Sequence, residues 1–133
     1  MDGIINKNVL LNIFGNDFSF ENALIEHITF EPIAGDLSID FIISCKVVNP
    51  PNKWKKWDKV YVKIDFSFVK NLSWQGESVN FLVQTFIINK TQSYEAELKD
   101  ICGSVLMFNF EAARVQNVKP LIYKEEYGRY EVY

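Results

Sequence analysis

Apolar residues recur at every second position along most of this chain. In residues 37–47 the odd positions Leu37, Ile39, Phe41, Ile43, Cys45 and Val47 are apolar, and the even ones are Ser38, Asp40, Ile42, Ser44 and Lys46. Strand side chains alternate between two faces, so this run predicts one buried and one mostly wetted face. Val60, Val62, Ile64, Phe66 and Phe68 repeat the pattern against Tyr61, Lys63, Asp65 and Ser67. Leu106, Phe108, Phe110 and Ala112 make a third run. Weaker strands are expected at 24–31, 81–88, 113–118 and 130–133, with turns at 32–36, 49–57, 75–78, 89–93 and 100–103.

One segment changes period. Ile5, Val9 and Ile13 stand four residues apart, with Leu10 and Phe14 beside them and Gly15 as a C-cap, which predicts a short helix over about 5–14. Three asparagines lower its propensity, so it needs a sheet to lie on. Residues 94–102 fit two patterns. Tyr94, Ala96 and Leu98 alternate with Glu95, Glu97 and Lys99 as in a strand, whereas Tyr94, Leu98, Ile101 and Cys102 share one helical face between Ser93 and Gly103. The neighbouring strands favour the strand. No crossover is long enough for serial βαβ units, so antiparallel order is expected. The fold class is mainly β (α+β): an antiparallel sheet or sandwich with a short N-terminal helix, in one domain over 1–133.

Composition narrows the chemistry. Of 133 residues, 14 are basic and 17 acidic, a net charge of −3 with one histidine. That balance does not point to nucleic acid. Of the cations only Arg114 and Arg129 are arginines, so the bidentate fork favoured for phosphate is scarce. A single His27 allows a Ser-His-Asp arrangement and excludes a multi-histidine metal site. No nucleophile elbow, H-E-x-x-H or P-loop occurs. His27 therefore reads as a solvent-facing or hydrogen-bonded residue, a hydrolase built on it and carboxylates of separate strands being the minor reading. No enzyme activity, metal or cofactor is expected. Cys45 and Cys102 form no C-x-x-C or zinc spacing, and Cys45 continues an apolar face. The polar N-terminal residues do not resemble a signal peptide, and no apolar run approaches the ~20 residues that span a bilayer. The expected location is the cytoplasm.

Net charge conceals polarity along the chain. The residues before Gly35 carry −4, the segment 50–59 carries +3, and the residues after Ser93 carry −2. The basic segment interleaves Lys53, Lys55 and Lys56 with Trp54 and Trp57 behind Pro50 and Pro51. Tryptophans in such a loop anchor a protein partner, stack on bases, or fold back over the sheet end beneath lysine stems. Glu95 and Glu97 share a strand face and, with Asp40, mark an acidic alternative surface; spacing of i, i+2 on a strand reads first as a wetted face. The aromatics Phe18, Phe20, Phe30, Phe41, Phe66, Phe68, Phe81, Phe86, Phe108 and Phe110 fall mostly on inner faces, where they fill a core or line a ligand cavity. The tyrosine-rich tail has the alternation of an edge strand, which invites pairing by another chain.

The order of landmarks resembles the immunity protein 50 family, small bacterial proteins that accompany polymorphic or contact-dependent toxins. Ile13-Phe14-Gly15 and Ser19-Phe20-Glu21-Asn22-Ala23 are similar to its F-G pair and S-F-H-D-A, with Glu21 and Asn22 where the family usually has His and Asp. Val69-Lys70-Asn71-Leu72-Ser73-Trp74-Gln75-Gly76 resembles its F-x-x-V-x-x-L-x-x-x-G, and Asn80 follows where the family bears an asparagine turn. Gly103 to Phe110, then Ala113, Val115 and Val118, resemble its closing strands. The resemblance implies a non-enzymatic cytoplasmic protein that binds and neutralises one cognate toxin. The expected partner is that toxin's C-terminal domain, with no nucleic-acid or membrane partner, and the chain is expected to be a monomer or weak homodimer. Its partner-binding candidates are Lys53, Trp54, Lys55, Lys56 and Trp57, with Asp40, Glu95 and Glu97 as the acidic alternative. The competing reading is a β-rich carrier of a small ligand in an aromatic cavity.

Overall fold

A computed structural model describes residues 3–77 and 80–132. Residues 1, 2, 78, 79 and 133, which include the end of the expected 75–78 turn and of the expected 130–133 strand, lie outside the described residues.

The alternating runs become strands. β1 (Leu24–Glu31), β2 (Asp36–Ile43) and β3 (Lys59–Ser67) follow one short helix, α1 (Asn8–Phe14). Then come β4 (Lys70–Gln75), β5 (Phe81–Lys90), β6 (Tyr94–Asp100), β7 (Val105–Phe110), β8 (Ala112–Lys124) and β9 (Arg129–Val132). All pair antiparallel in the order β4-β7-β6-β5-β1-β2-β3-β8-β9. The ambiguous 94–102 is therefore a strand, and the turn at its end starts at residue 101.

The sheet folds back on itself at one weak seam. β1 and β5 share only the pairs Leu24↔Leu82 and Ile25↔Phe81, whereas β5 pairs with β6 from Val83 to Lys90. That seam lets Phe66 on β3 meet Phe108 and Phe110 on β7, with ring centroids 4.8 and 5.1 Å apart. Phe41 on β2 likewise stacks on Phe86 of β5. One core thus lies between two layers, filled by Leu37, Ile39, Phe41, Val62, Ile64, Phe66, Leu98 and Phe108 among others. Phe14, Phe18 and Phe20 close it in a chain of ring contacts.

Four expectations need correction, and one strand is unexpected. The helix starts at Asn8, and it buries Leu10, Ile13 and Phe14 while Ile5 and Val9 are exposed. The cause is at the start of the chain: Ile4 forms a parallel bridge to Ala113, and the Ile5 N–H donates to the Ala113 carbonyl at 2.8 Å. Ile4 is held against β8 and Ile5 lies in the turn before the helix, so Ile5 does not share a helical stripe with Val9. Phe68 does not join the inner face of β3. It sits at φ 55° in the turn to β4 and is exposed. β2 ends at Ile43, so Cys45 and Val47 pack against the core from a loop, and Cys45 and Cys102 are separate free thiols. β8 runs six residues past the expected end at 118, through Pro120. β4, a strand of mostly exposed residues, was not expected. Its turn depends on Gly76, at φ 126°, because the Ser104 side chain occupies the place where a Cβ would project.

Candidate functional site

The lysine–tryptophan loop leads from β2 into β3 and folds over the side of β8. Within it the Trp54 N–H donates to the Pro51 carbonyl at 2.9 Å. Its end is tied to β8 by the Asp58 N–H, which donates to the Leu121 carbonyl at 2.8 Å, and by Asp58 Oδ2, which accepts from the Tyr123 N–H at 2.8 Å. Trp54 is only 7% exposed and belongs to the core. Trp57 is half-buried against that core, its ring 5.6 Å from Trp54 in an edge-on contact. The indoles thus form a wall, and Lys53, Lys55 and Lys56 stand exposed upon it.

Two grooves open along this wall. One of about 480 Å³ runs between α1, the loop and β8, past Val9, Ile13, Pro51, Lys53 and Trp54. The other, of about 420 Å³, continues past Lys53 and Trp54 to Lys119, Pro120 and Val132. They share Lys53, Trp54, Asn117 and Val118, so they form one channel. No carboxylate lines either part.

The channel floor is an interrupted sheet edge. β3 covers one side of β8 from Ala112 to Leu121. The other side is covered only at its ends. Near Val115 the Asn6 side chain imitates a strand: its Oδ1 accepts from the Val115 N–H at 2.6 Å, and its Nδ2 donates to the Val115 carbonyl at 2.8 Å. From Leu121 onward β9 takes over. Between them, residues 116–120 have no strand partner on that side among the described residues. Leu121 turns its carbonyl toward Asp58, so alternation turns the amide and carbonyl of Val118 to the open side. Pro120 offers that side a carbonyl alone.

Asp40 lies elsewhere, on the outer face of β1, β2, β3 and β8. Its register neighbours are His27 and Lys63, and the next row holds Thr29, Ser38, Asp65 and Arg114. Asp40 Oδ2 is 3.7 Å from Nδ1 of His27, whose same nitrogen is 3.6 Å from Glu26 Oε1. Asp40 Oδ1 is buried and has no hydrogen-bond partner among the described residues. Burial, a hydrogen bond with Asp40 and the charges of Asp40, Glu26 and Asp65 together hold the Tyr61 phenol well above its ordinary pKa. A polar groove of about 490 Å³ runs beside this cluster between Glu31, Asp36, Ser38, Lys63, Asp65 and Arg114. The Ser38 hydroxyl donates to Asp65 at 2.7 Å within it.

Glu95 and Glu97 face outward from the other layer, on β6, opposite Asn109 and Met107 of β7. Lys99 is 3.4 Å from Glu97. The expected acidic surface is therefore two surfaces on opposite sides of the molecule, whereas Lys53, Trp54, Lys55, Lys56 and Trp57 stay together. The residues that complete the loop surface, Asn6, Val9, Val118, Lys119 and Val132, are not among the contact residues expected from sequence. Pro120 inside an alternating run was the available sign, since proline within a strand marks an edge. Of the aromatics expected to fill a core or line a cavity, Phe18, Phe20, Phe41, Phe66, Phe86, Phe108 and Phe110 pack ring against ring, Phe68 is exposed, and Phe66 is the one that borders any of these grooves.

Comparison with known proteins gives one match. The family model described as Immunity protein 50 matches residues 6–121, from Asn6 to Leu121 of the β8 edge. No curated protein and no solved structure matches the chain.

Proposed function

Because the chain belongs to the immunity protein 50 family, we propose that it binds the C-terminal domain of one cognate bacterial toxin and neutralises it in the cytoplasm. The observation that carries this reading is the family match over nearly the whole described fold. The molecule supports it physically. A neutralising protein needs a rigid scaffold with a complementary surface rather than a catalytic constellation, and a stable contact buries ~800 Å² on each side. The two-layer core supplies the rigidity. The basic loop surface around Lys53, Trp54, Lys55, Lys56 and Trp57 is the first contact surface, since charge of one sign beside partly buried aromatics both steers and anchors a partner. The acidic faces at Asp40 and at Glu95 and Glu97 are the alternative. No helix among the described residues is long and apolar enough to cross a membrane, which accords with action on a protein in solution.

The test is co-expression. The partner domain is sought at the C-terminus of a large secreted protein encoded beside this chain. Its expression alone should arrest growth, and growth should resume when this chain is produced with it. Growth inhibition that persists in the presence of soluble, folded chain contradicts the reading.

A further inference from the structure

Resting on that reading, we propose that the interrupted edge of β8 is where the toxin domain docks, by adding an extended, acidic segment of its own chain to residues 116–120. Three observations converge there. The first is backbone chemistry: the Val118 amide and carbonyl face the channel with no strand partner among the described residues, between the Asn6 side chain and β9. Unsatisfied backbone groups at a sheet edge are a template for an incoming strand, which gains main-chain hydrogen bonds and places alternate side chains in flanking pockets.

The second is shape. Such pockets exist on either side of Val118, the larger bounded by Val9, Ile13 and Trp54 and the smaller by Lys119 and Val132. Val9 and Val132 are exposed apolar residues at the two ends of the channel, so side chains of the incoming strand find apolar contact at both. The third is charge. Lys53 borders both pockets, Lys119 borders the second, and no carboxylate lines either. Lys55 and Lys56 are exposed in the same loop as Lys53. A segment carrying Asp or Glu next to an apolar residue matches this lining, while a basic segment is repelled.

The edge also limits its own promiscuity. Asn6 closes one end without offering a new edge, and Pro120 removes one donor from the other. Only a short segment fits, in one register. The same devices keep ordinary edges from pairing at random.

The test uses the purified full chain and the toxin domain encoded beside it, carrying a substitution that abolishes its toxicity. Hydrogen exchange should slow at Val118 when the two are mixed. Val118→Pro removes the one free amide while keeping an apolar residue, and it should weaken binding about tenfold or more. Lys53→Glu combined with Lys119→Glu keeps every backbone group and should slow association by at least about tenfold at low salt. If Val118→Pro unfolds the chain, the lysine variant and the exchange experiment still decide. Unchanged affinity and exchange in folded variants, with the wild type binding, overturns the edge proposal and leaves the toxin-binding reading intact. Failure of the wild type to bind overturns both. A dimer of the free chain that disappears in the lysine variant assigns the edge to a second copy and also overturns the proposal.

Discussion

The loop surface on β8 and the acidic face around Asp40 both carry clustered charge over a β-sheet, yet they differ in how those groups are engaged. On the acidic face the carboxylates have neighbours of their own: Asp40 faces His27 and Tyr61, Asp65 accepts from Ser38, and Glu97 on the opposite layer faces Lys99. On the loop surface exposed lysines share a loop with the paired indoles, beside a stretch of backbone without a strand partner among the described residues. Asp40 Oδ1 apart, which is buried without a hydrogen-bond partner among the described residues, an engaged carboxylate offers less to a newcomer, because a partner must first displace contacts already made. Exposed cations beside unpaired backbone and apolar wall offer steering, hydrogen bonds and buried area together. Charge density alone thus does not distinguish a binding surface; the satisfaction of the groups beneath it does.

The largest expected effect breaks the wall. Trp54→Ala removes a nearly buried indole from the core and should cost about 3–5 kcal/mol of stability, read by chemical denaturation. The half-buried Trp57 should cost less on the same measurement. Equal, small losses for both would mean that the indoles are surface anchors rather than a wall. Next, Asn6→Ala deletes both side-chain bonds to Val115 and should cost about 1–2 kcal/mol. Faster hydrogen exchange at Val115 would confirm that the open edge had lengthened.

The acidic face makes its own prediction through Tyr61. Its folded pKa lies above the ordinary 10.0, so above pH 10 the unfolded chain loses a proton that the folded chain keeps. The stability this contributes is fully present below pH 10 and declines as pH rises above it. Denaturation midpoints between pH 8 and pH 11 should fall less steeply in Tyr61→Phe than in the wild type. Identical slopes would show that neither burial nor Asp40 and its neighbours hold this phenol above its ordinary pKa. The smallest effect is expected for Glu97→Gln, which breaks a half-exposed pair with Lys99 and should change stability by less than about 0.5 kcal/mol.

Much of this arrangement was legible before any coordinates. Strict alternation located β2, β3 and β7 within a few residues, because one face of each is buried and the other more open. It failed for β4, whose residues are mostly exposed and so carry no two-residue signal. It stopped short in β8, where Pro120 reads as a breaker but is tolerated because its nitrogen faces an open edge. The helix face was misjudged because the Ile4 bridge to Ala113 is a long-range contact that no local period encodes. For the loop, sequence showed that lysines and tryptophans alternate, but not which of them are buried. The acidic candidates fared differently: Asp40 and the two glutamates looked like one property of the chain, and only topology separates them into two faces.

The central claim is that the basic edge, and not an acidic face, contacts the toxin. It is tested most directly by titrating the detoxified toxin domain against two charge-reversed chains in a calorimeter. One carries Lys53→Glu and Lys119→Glu, the other Glu95→Lys and Glu97→Lys. The account predicts that the first loses affinity about tenfold or more while the second binds like the wild type. Retained binding by the first together with loss by the second would contradict it.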